Sequence, residues 1–106
     1  MNDRLAQIRA LLAASPEDAF LAYALATELV QSGDLPAGVA AFEDLRCRHP
    51  DYVALYYHYG AALLALERAD EADAVFADGI TRARAAGDQH AVSELQNIRL
   101  NASLDL

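Results

Sequence analysis

Residues 53–86 read VALYYHYGAALLALERADEADAVFADGITRARAA, and residues 19–52 carry the same order of large, small and polar positions. At a spacing of 34, four pairs of equivalent residues stand out: Tyr23 and Tyr57, Ala26 and Gly60, Leu29 and Leu63, and Phe42 and Phe76. A period of about 20 to 50 residues is typical of chains built from stacked supersecondary units. The sequence therefore predicts two tandem copies, residues 19–52 and 53–86.

Each copy has the pattern of two helices joined by a short turn. In the first copy, apolar residues recur every three to four positions from Leu21 to Leu29, and Gly33 ends this helix. The next helix begins near Pro36, a residue suited to a first turn, and ends before Pro50. Since no segment alternates apolar and polar residues with period two, the chain is predicted to contain helices only.

The second copy repeats this plan with larger side chains. We expect its first helix to bury the residues Tyr56, Tyr59, Gly60 and Leu63. We expect its second helix to bury Ala72, Val75, Phe76 and Ile80 and to end at Gly87. The apolar periodicity therefore predicts the inner face of both helices in this copy.

Two further helices flank the copies. Residues 3–14 place Leu5, Ile8, Leu11 and Leu12 on one face, and they form a predicted half repeat. Asp88 is a suitable N-cap for a helix over residues 88–100, whose apolar residues are Ala91, Val92, Leu95 and Ile98. Because repeat stacks expose apolar faces at both ends, these helices are expected to cap the stack. The prediction is a single all-α domain over residues 1–106 with about six helices.

Composition excludes several functional classes. Acids outnumber bases 16 to 8, every base is arginine, and the formal charge is −8, which opposes binding to a phosphate backbone. Charged and polar residues interrupt every apolar run, so no membrane helix is predicted. The first residues lack the apolar core of a secretory signal, and the single cysteine, Cys47, agrees with a reducing compartment. We therefore expect a cytoplasmic protein in which Cys47 is a structural thiol.

The combined pattern resembles the tetratricopeptide repeat, a helix-turn-helix unit of about 34 residues. The matching positions in the second copy are Tyr56, Tyr59, Gly60, Leu63, Ala72, Phe76 and Gly79, and in the first copy Leu25, Ala26, Leu29, Gly38, Phe42, Leu45 and Pro50. The first copy departs at Ala22, where a large residue is usual, and the second has Arg84 in place of the closing proline. The resemblance implies antiparallel helix pairs stacked as a short right-handed superhelix that binds other proteins.

In this family the first helices of successive repeats line a concave groove that holds a peptide. By resemblance the groove residues here are Phe20, Tyr23, Thr27, Gln31, Tyr57, Ala61 and Leu64. The two tyrosines and Phe20 are expected to form an aromatic ledge, although some of these rings are alternatively explained by contact with the flanking helices. The groove has no lysine or other basic clamp for a carboxylate, and Glu28 and Asp51 are near it in the sequence. The expected partner is therefore an apolar or mildly basic protein segment.

Three functional hypotheses follow. The leading one is a non-catalytic interaction module, or adaptor, without cofactor or metal, because no phosphate-binding loop, nucleophile motif or Cys–His pairing is present. The second is self-association through Tyr52, Tyr57 and their neighbours as a homodimer. The third is a metal-dependent activity at His90, which shares a helical face with Glu94 and follows Asp88. Acids at a helix start and an ordinary i,i+4 side-chain pair explain the same residues, and we favour that explanation.

Overall fold

The computed structural model describes residues 2–104 and contains six α-helices over that range. Their bounds are α1 Asp3–Ala14, α2 Ala19–Gln31, α3 Leu35–Arg48, α4 Ala54–Ala65, α5 Ala69–Ala85 and α6 Gln89–Leu104. No β-strand occurs in the described range, which confirms the all-α prediction. Met1, Asp105 and Leu106, the ends of the predicted domain, lie outside the described residues.

The chain forms two compact units that divide between Tyr52 and Val53. This division falls where the sequence period places the start of the second copy. The first unit contains α1, α2 and α3, and the second contains α4, α5 and α6. In each unit, helices that follow one another in the chain pack against each other.

Four helices begin with the same capping interaction. In each, an Asn or Asp side-chain oxygen accepts a hydrogen bond from the backbone N–H three residues later, at 3.0–3.2 Å, and the capping residues are Asn2, Asp18, Asp34 and Asp88. Such a cap satisfies one of the backbone donors that a helix start leaves without an internal partner. The predicted cap at Asp88 is confirmed, and Pro36 lies in the first turn of α3 as predicted.

Three helices end in one common turn. Gly33, Glu67 and Gly87 follow α2, α4 and α5 and have φ angles of 97°, 59° and 71°. At each turn the residue with positive φ donates to a carbonyl three residues earlier, and the next residue donates to one five residues earlier, at 2.9–3.0 Å. This is the Schellman motif, which satisfies the last carbonyls of a helix. The predicted stops at Gly33 and Gly87 are confirmed.

The first unit is an antiparallel stack around α2. A β-carbon added to Gly38, early in α3, would lie 3.3 Å from the carbonyl oxygen of Ala26, which is in the later half of α2. Phe42 and Leu45 of α3, two positions that match the repeat pattern, are fully buried. In α1, which packs against α2, Ile8 is buried whereas Leu11 is 56% exposed.

The second unit contains the larger core. Tyr56 and Leu63 of α4 are essentially inaccessible, and the ring of Phe76 in α5 fills the space beside Gly60. A β-carbon added to Gly79 would meet the Tyr56 side chain, so α4 and α5 run antiparallel with small residues at their closest approach. The predicted inner faces of both helices are confirmed residue by residue.

The departure at Ala22 has a counterpart on the facing helix. The second copy pairs the large Tyr56 on α4 with the small Gly79 on α5. At the equivalent positions the first copy has the small Ala22 on α2 and the large, fully buried Leu45 on α3. The two copies thus exchange the large side chain between helices, which conserves core volume, and volume-conserving exchanges are the best tolerated.

The last helix continues to Leu104, beyond the predicted end at Leu100. The added residues contain no glycine or proline to stop a helix, and the Ser103 hydroxyl donates to the Leu100 carbonyl oxygen at 2.8 Å. Arg99 of α6 forms two hydrogen bonds with Asp73 of α5, and Leu95 and Val92 are buried. This helix therefore covers the apolar face of α5 within the second unit.

Candidate functional site

One face of α2 carries the predicted groove residues of the first unit. Phe20, Tyr23, Thr27 and Gln31 recur at spacings of three and four residues and so lie along one side of the helix. Phe20 is 63% exposed, Tyr23 and Thr27 are half-buried, and Gln31 is exposed. An exposed phenylalanine beside a tyrosine is the most apolar feature of this face.

Tyr23 lies between two other aromatic rings. Its ring centroid is 5.5 Å from that of Tyr52 with a tilt of 49°, and 6.4 Å from that of Phe42 at 63°, an edge-to-face arrangement. Phe42 is core, whereas Tyr52 lies after α3 and remains half-buried. Aromatic pairs at these separations contribute about 0.5–1.5 kcal/mol beyond their buried area. Tyr52 therefore lies beside the α2 face. Helical periodicity could not predict this contact, because Tyr52 is not part of a helix.

The hydroxyls of this pair remain protonated well into the alkaline range. Burial, and then the proximity of Tyr52, raises the pKa of Tyr23 above its ordinary value. Burial, and then the Asp18 carboxylate, raises the pKa of Tyr52. Both hydroxyls are therefore neutral at physiological pH. The effect of Asp18 on Tyr52 also places a negative charge at this end of α2.

Glu28 does not contribute its charge to this face. Its carboxylate accepts a hydrogen bond from the Asn2 side-chain amide at 3.1 Å and forms an ion pair with Arg4 at 2.8 Å, and its side chain is 12% exposed. These contacts join the C-terminal half of α2 to the start of α1. Glu28, which is near the predicted groove residues in the sequence, is therefore held by residues at the start of α1.

Thr27 has limited hydrogen-bonding capacity toward a ligand. Its hydroxyl donates to the carbonyl oxygen of Ala24 at 3.0 Å, one turn earlier in α2. That bond uses the only proton of the hydroxyl, so the oxygen can only accept from a bound group. We call the face of α2 formed by Phe20, Tyr23, Thr27 and Gln31 the α2 strip. It presents aromatic surface at Phe20 and Tyr23, a hydrogen-bond acceptor at Thr27 and the exposed side-chain amide of Gln31.

The predicted groove residues of the second unit lie on α4. Tyr57, Ala61 and Leu64 are half-buried and recur at spacings of four and three residues. The Tyr57 ring lies 5.4 Å from the ring of exposed His58 at an angle of 71°. That these residues and the α2 strip line one groove stays a prediction.

The residues of the metal hypothesis, Asp88, His90 and Glu94, are not arranged as a metal site. His90 Nε2 lies 3.3 Å from Glu94 Oε1, an exposed pair one turn apart, and Asp88 caps the helix. Between residues 2 and 104, no group of three or more His, Cys, Asp or Glu side chains is positioned to hold a metal ion. In the same range, no helix has the length and apolar character needed to cross a membrane.

Comparison with known proteins identifies similar structures. A crystal structure of a tetratricopeptide repeat domain protein from Salinibacter ruber is 40% identical, with a TM-score of 0.79, and the match covers 84% of this chain and 99% of that one. A solution NMR structure of a tetratricopeptide repeat domain protein from the same organism is 42% identical, with a TM-score of 0.82 and coverage of 86% and 92%. A solution structure of a protein from Bordetella parapertussis, at 20% identity, TM-score 0.85 and coverage of 99% and 91%, shares the fold. Neither family models nor curated proteins gave a match.

Proposed function

We propose, since this chain belongs to the tetratricopeptide repeat family, that it is a non-catalytic module that binds a peptide or a helix of a partner protein. The family fold is generally an interaction fold. The residues assigned to the concave groove are Phe20, Tyr23, Thr27 and Gln31 of α2 and Tyr57, Ala61 and Leu64 of α4. In this role the protein is an adaptor, and its ligand is another polypeptide.

The observation that carries the proposal is the exposed aromatic strip on α2. Phe20 leaves 63% of its surface in contact with water, although burying such a side chain is favourable by about 1.5–3 kcal/mol. Tyr23, one turn away, adds a half-buried ring with a protonated hydroxyl. Rigid aromatic side chains of this kind are enriched among the residues that dominate binding energy at interfaces. A partner that covers this strip gains that free energy.

Charge favours an apolar or mildly basic partner segment. The chain has a formal charge of −8 and no lysine, and the assigned groove residues supply aromatic, aliphatic and neutral polar groups. A partner carboxylate would require charge-assisted donors, which these residues lack. The same negative charge repels nucleic acid. The single cysteine, which has no partner for an internal disulfide, is compatible with action in a reducing compartment such as the cytoplasm.

Affinity capture from the native lysate, read by mass spectrometry, tests the proposal. The double variant Tyr23→Ala, Tyr57→Ala is expected to lose the partner that the wild-type protein captures, while far-UV circular dichroism shows unchanged helicity. The matched control, Gln7→Ala with Gln96→Ala, removes two exposed side chains of α1 and α6 and is expected to retain capture. Unaltered capture by the tyrosine variant would show that the groove assignment is wrong.

Self-association is the alternative that the same surface allows. A homodimer through Tyr52, Tyr57 and their neighbours would bury the aromatic strip without a foreign ligand. Sedimentation velocity over a range of concentrations separates the two hypotheses, because a dimer that uses this face must dissociate on dilution. A monomer at high micromolar concentration is the expected result, and a dimer lost in Tyr23→Ala, Tyr57→Ala would favour self-association.

A further inference from the structure

The N-terminal end of α2 gathers an acid and three aromatic rings. Asp18 caps the helix, Phe20 is exposed in its first turn, and Tyr23 follows one turn later against Tyr52. Tyr52 is brought to this place by the segment after α3, where its N–H donates to the His49 carbonyl oxygen at 3.1 Å. All of these residues belong to the first unit, so the arrangement is internal to one compact body.

The negative charge of this cluster comes from Asp18. Within the described part of the chain, Asp18 forms no ion pair, and its contact is the cap, in which Oδ1 accepts from the Leu21 N–H at 3.1 Å. The nearby Arg48 is engaged by Glu17 at 3.3 Å and by Asp44 at 3.2 Å. The field of the Asp18 carboxylate raises the pKa of Tyr52 after the larger effect of burial. The same field favours a cation placed on the tyrosine rings.

We propose that Asp18, Tyr23 and Tyr52 form an anchor for one arginine side chain of the partner segment. The inference rests on the proposed function and names the residue that the partner must supply. A guanidinium is planar, so it stacks on a tyrosine ring while its N–H groups donate to the second oxygen of the Asp18 carboxylate. Arginine is favoured over lysine because the lysine ammonium is more strongly hydrated and lacks the flat fork. Apolar partner residues next to this arginine then cover Phe20.

Two peptides that differ only in charge test the anchor. The first is an acetylated and amidated nonapeptide of alanine and leucine with one central arginine, and the second has citrulline, its neutral isostere, at that position. Binding is followed by NMR chemical-shift changes of the Tyr23 and Tyr52 ring signals. The arginine peptide is expected to bind the wild-type protein about tenfold more tightly, as a charge-assisted hydrogen bond and a cation–π contact together allow.

A matched pair of variants isolates the carboxylate. Asp18→Asn removes the charge but keeps the cap, because asparagine and aspartate cap helices equally well. Asp34→Asn makes the same change at the cap of α3, at the opposite end of α2, and alters the net charge by the same amount. Asp18→Asn is expected to lower the affinity for the arginine peptide to that for the citrulline peptide. Asp34→Asn is expected to leave the roughly tenfold difference between the two affinities unchanged.

The outcomes separate the anchor from the proposed function. Any of three results would overturn the anchor. The two peptides could bind the wild-type protein with equal affinity, the two variants could lose affinity for the arginine peptide equally, or the ring signals could stay unchanged at millimolar peptide. None of these results would touch the proposed function, which fails only if lysate capture is unaltered by Tyr23→Ala with Tyr57→Ala. If that variant loses lysate capture but the citrulline and arginine peptides bind with equal affinity, the groove binds its partner without an arginine anchor.

Discussion

Glu67 occupies the turn position in the second copy that Gly33 occupies in the first, and both residues have a positive φ, 59° and 97°. Both turns have the same pair of hydrogen bonds to the end of the preceding helix. Glycine adopts this left-handed conformation without strain, whereas a residue with a β-carbon does so at a cost. The second copy therefore contains a strained turn where the first has a relaxed one.

Replacing Glu67 with glycine is expected to stabilise the protein. Relief of the left-handed strain should raise the free energy of unfolding by about 0.5–1 kcal/mol, measured by urea denaturation. Gly33→Ala is the converse control: no atom would contact an added β-carbon, so its expected loss of about 1 kcal/mol comes from the backbone alone. A less stable Glu67→Gly protein would contradict the prediction and would show that the Glu67 side chain makes a compensating contact.

The close approach of α4 and α5 predicts a coupled pair of substitutions. A methyl group at Gly60 would collide with the Phe76 ring, so Gly60→Ala is expected to lower the free energy of unfolding by about 1–3 kcal/mol. Phe76→Leu makes room for that methyl group at its own cost in packing. A double-mutant cycle by thermal or urea unfolding should find the double variant about 1 kcal/mol more stable than additivity predicts. Additive losses would show that the ring is not the obstacle.

The contact between Asp73 and Arg99 predicts a pH dependence. Nε and Nη2 of Arg99 donate to the two carboxylate oxygens at 2.7 and 3.1 Å, and chiefly this hydrogen bonding lowers the pKa of Asp73 below its usual 3.8. A depressed folded-state pKa contributes stability that is present above the unfolded value and is lost as pH falls through the folded value. Because the pair is exposed, Asp73→Asn should cost only about 0.2–1 kcal/mol at neutral pH.

The measurement is the difference in stability between the wild-type protein and Asp73→Asn as a function of pH. This difference should be constant near neutral pH. It should begin to shrink near pH 3.8, where the carboxylate of the unfolded chain takes up a proton, and should vanish below the lowered pKa of the folded protein. A difference that persists unchanged into strong acid would assign the effect to packing. High salt should also reduce the difference, since exposed charges are screened.

The His90 region is expected to show no metal dependence. A ligand that binds only the folded protein raises its melting temperature. Addition of zinc or manganese should therefore leave the melting temperature of the wild-type protein unchanged, because His90 and Glu94 form an isolated, exposed pair. An increase that is absent in His90→Ala would revive the metal hypothesis.

Local signals predict most of the fold from the sequence. The helix stops at Gly33 and Gly87 and the cap at Asp88 depend on backbone chemistry that single residues determine, and all three are confirmed. The buried face of α5 follows from its periodicity. The end of α6 differs from the prediction because no residue in Asn101–Leu104 stops a helix. Periodicity marks an apolar stripe on α1 without showing how much of it a neighbouring helix covers, and Leu11 of that stripe is 56% exposed.

The candidate site is harder to predict because it depends on long-range contacts. Tyr23 meets Tyr52 from the far end of the first copy, and Tyr52 lies outside any helix, so no spacing rule connects them. Glu28 is near the predicted groove residues in the sequence, but Asn2 and Arg4 hold its side chain at the start of α1. Such contacts are decided by how helices pack, which the apolar pattern of a single helix does not contain.

Site-directed photo-crosslinking at Phe20 tests whether the exposed aromatic strip of α2 contacts the partner protein. Benzoylphenylalanine in place of Phe20 keeps an aromatic ring on the exposed strip, and the same group in place of Gln7, exposed on α1, serves as the control. We predict a crosslinked partner at position 20, lost when Tyr23→Ala and Tyr57→Ala are added, and no crosslink at position 7. A crosslink to the same partner at position 7 but not at position 20 would contradict it.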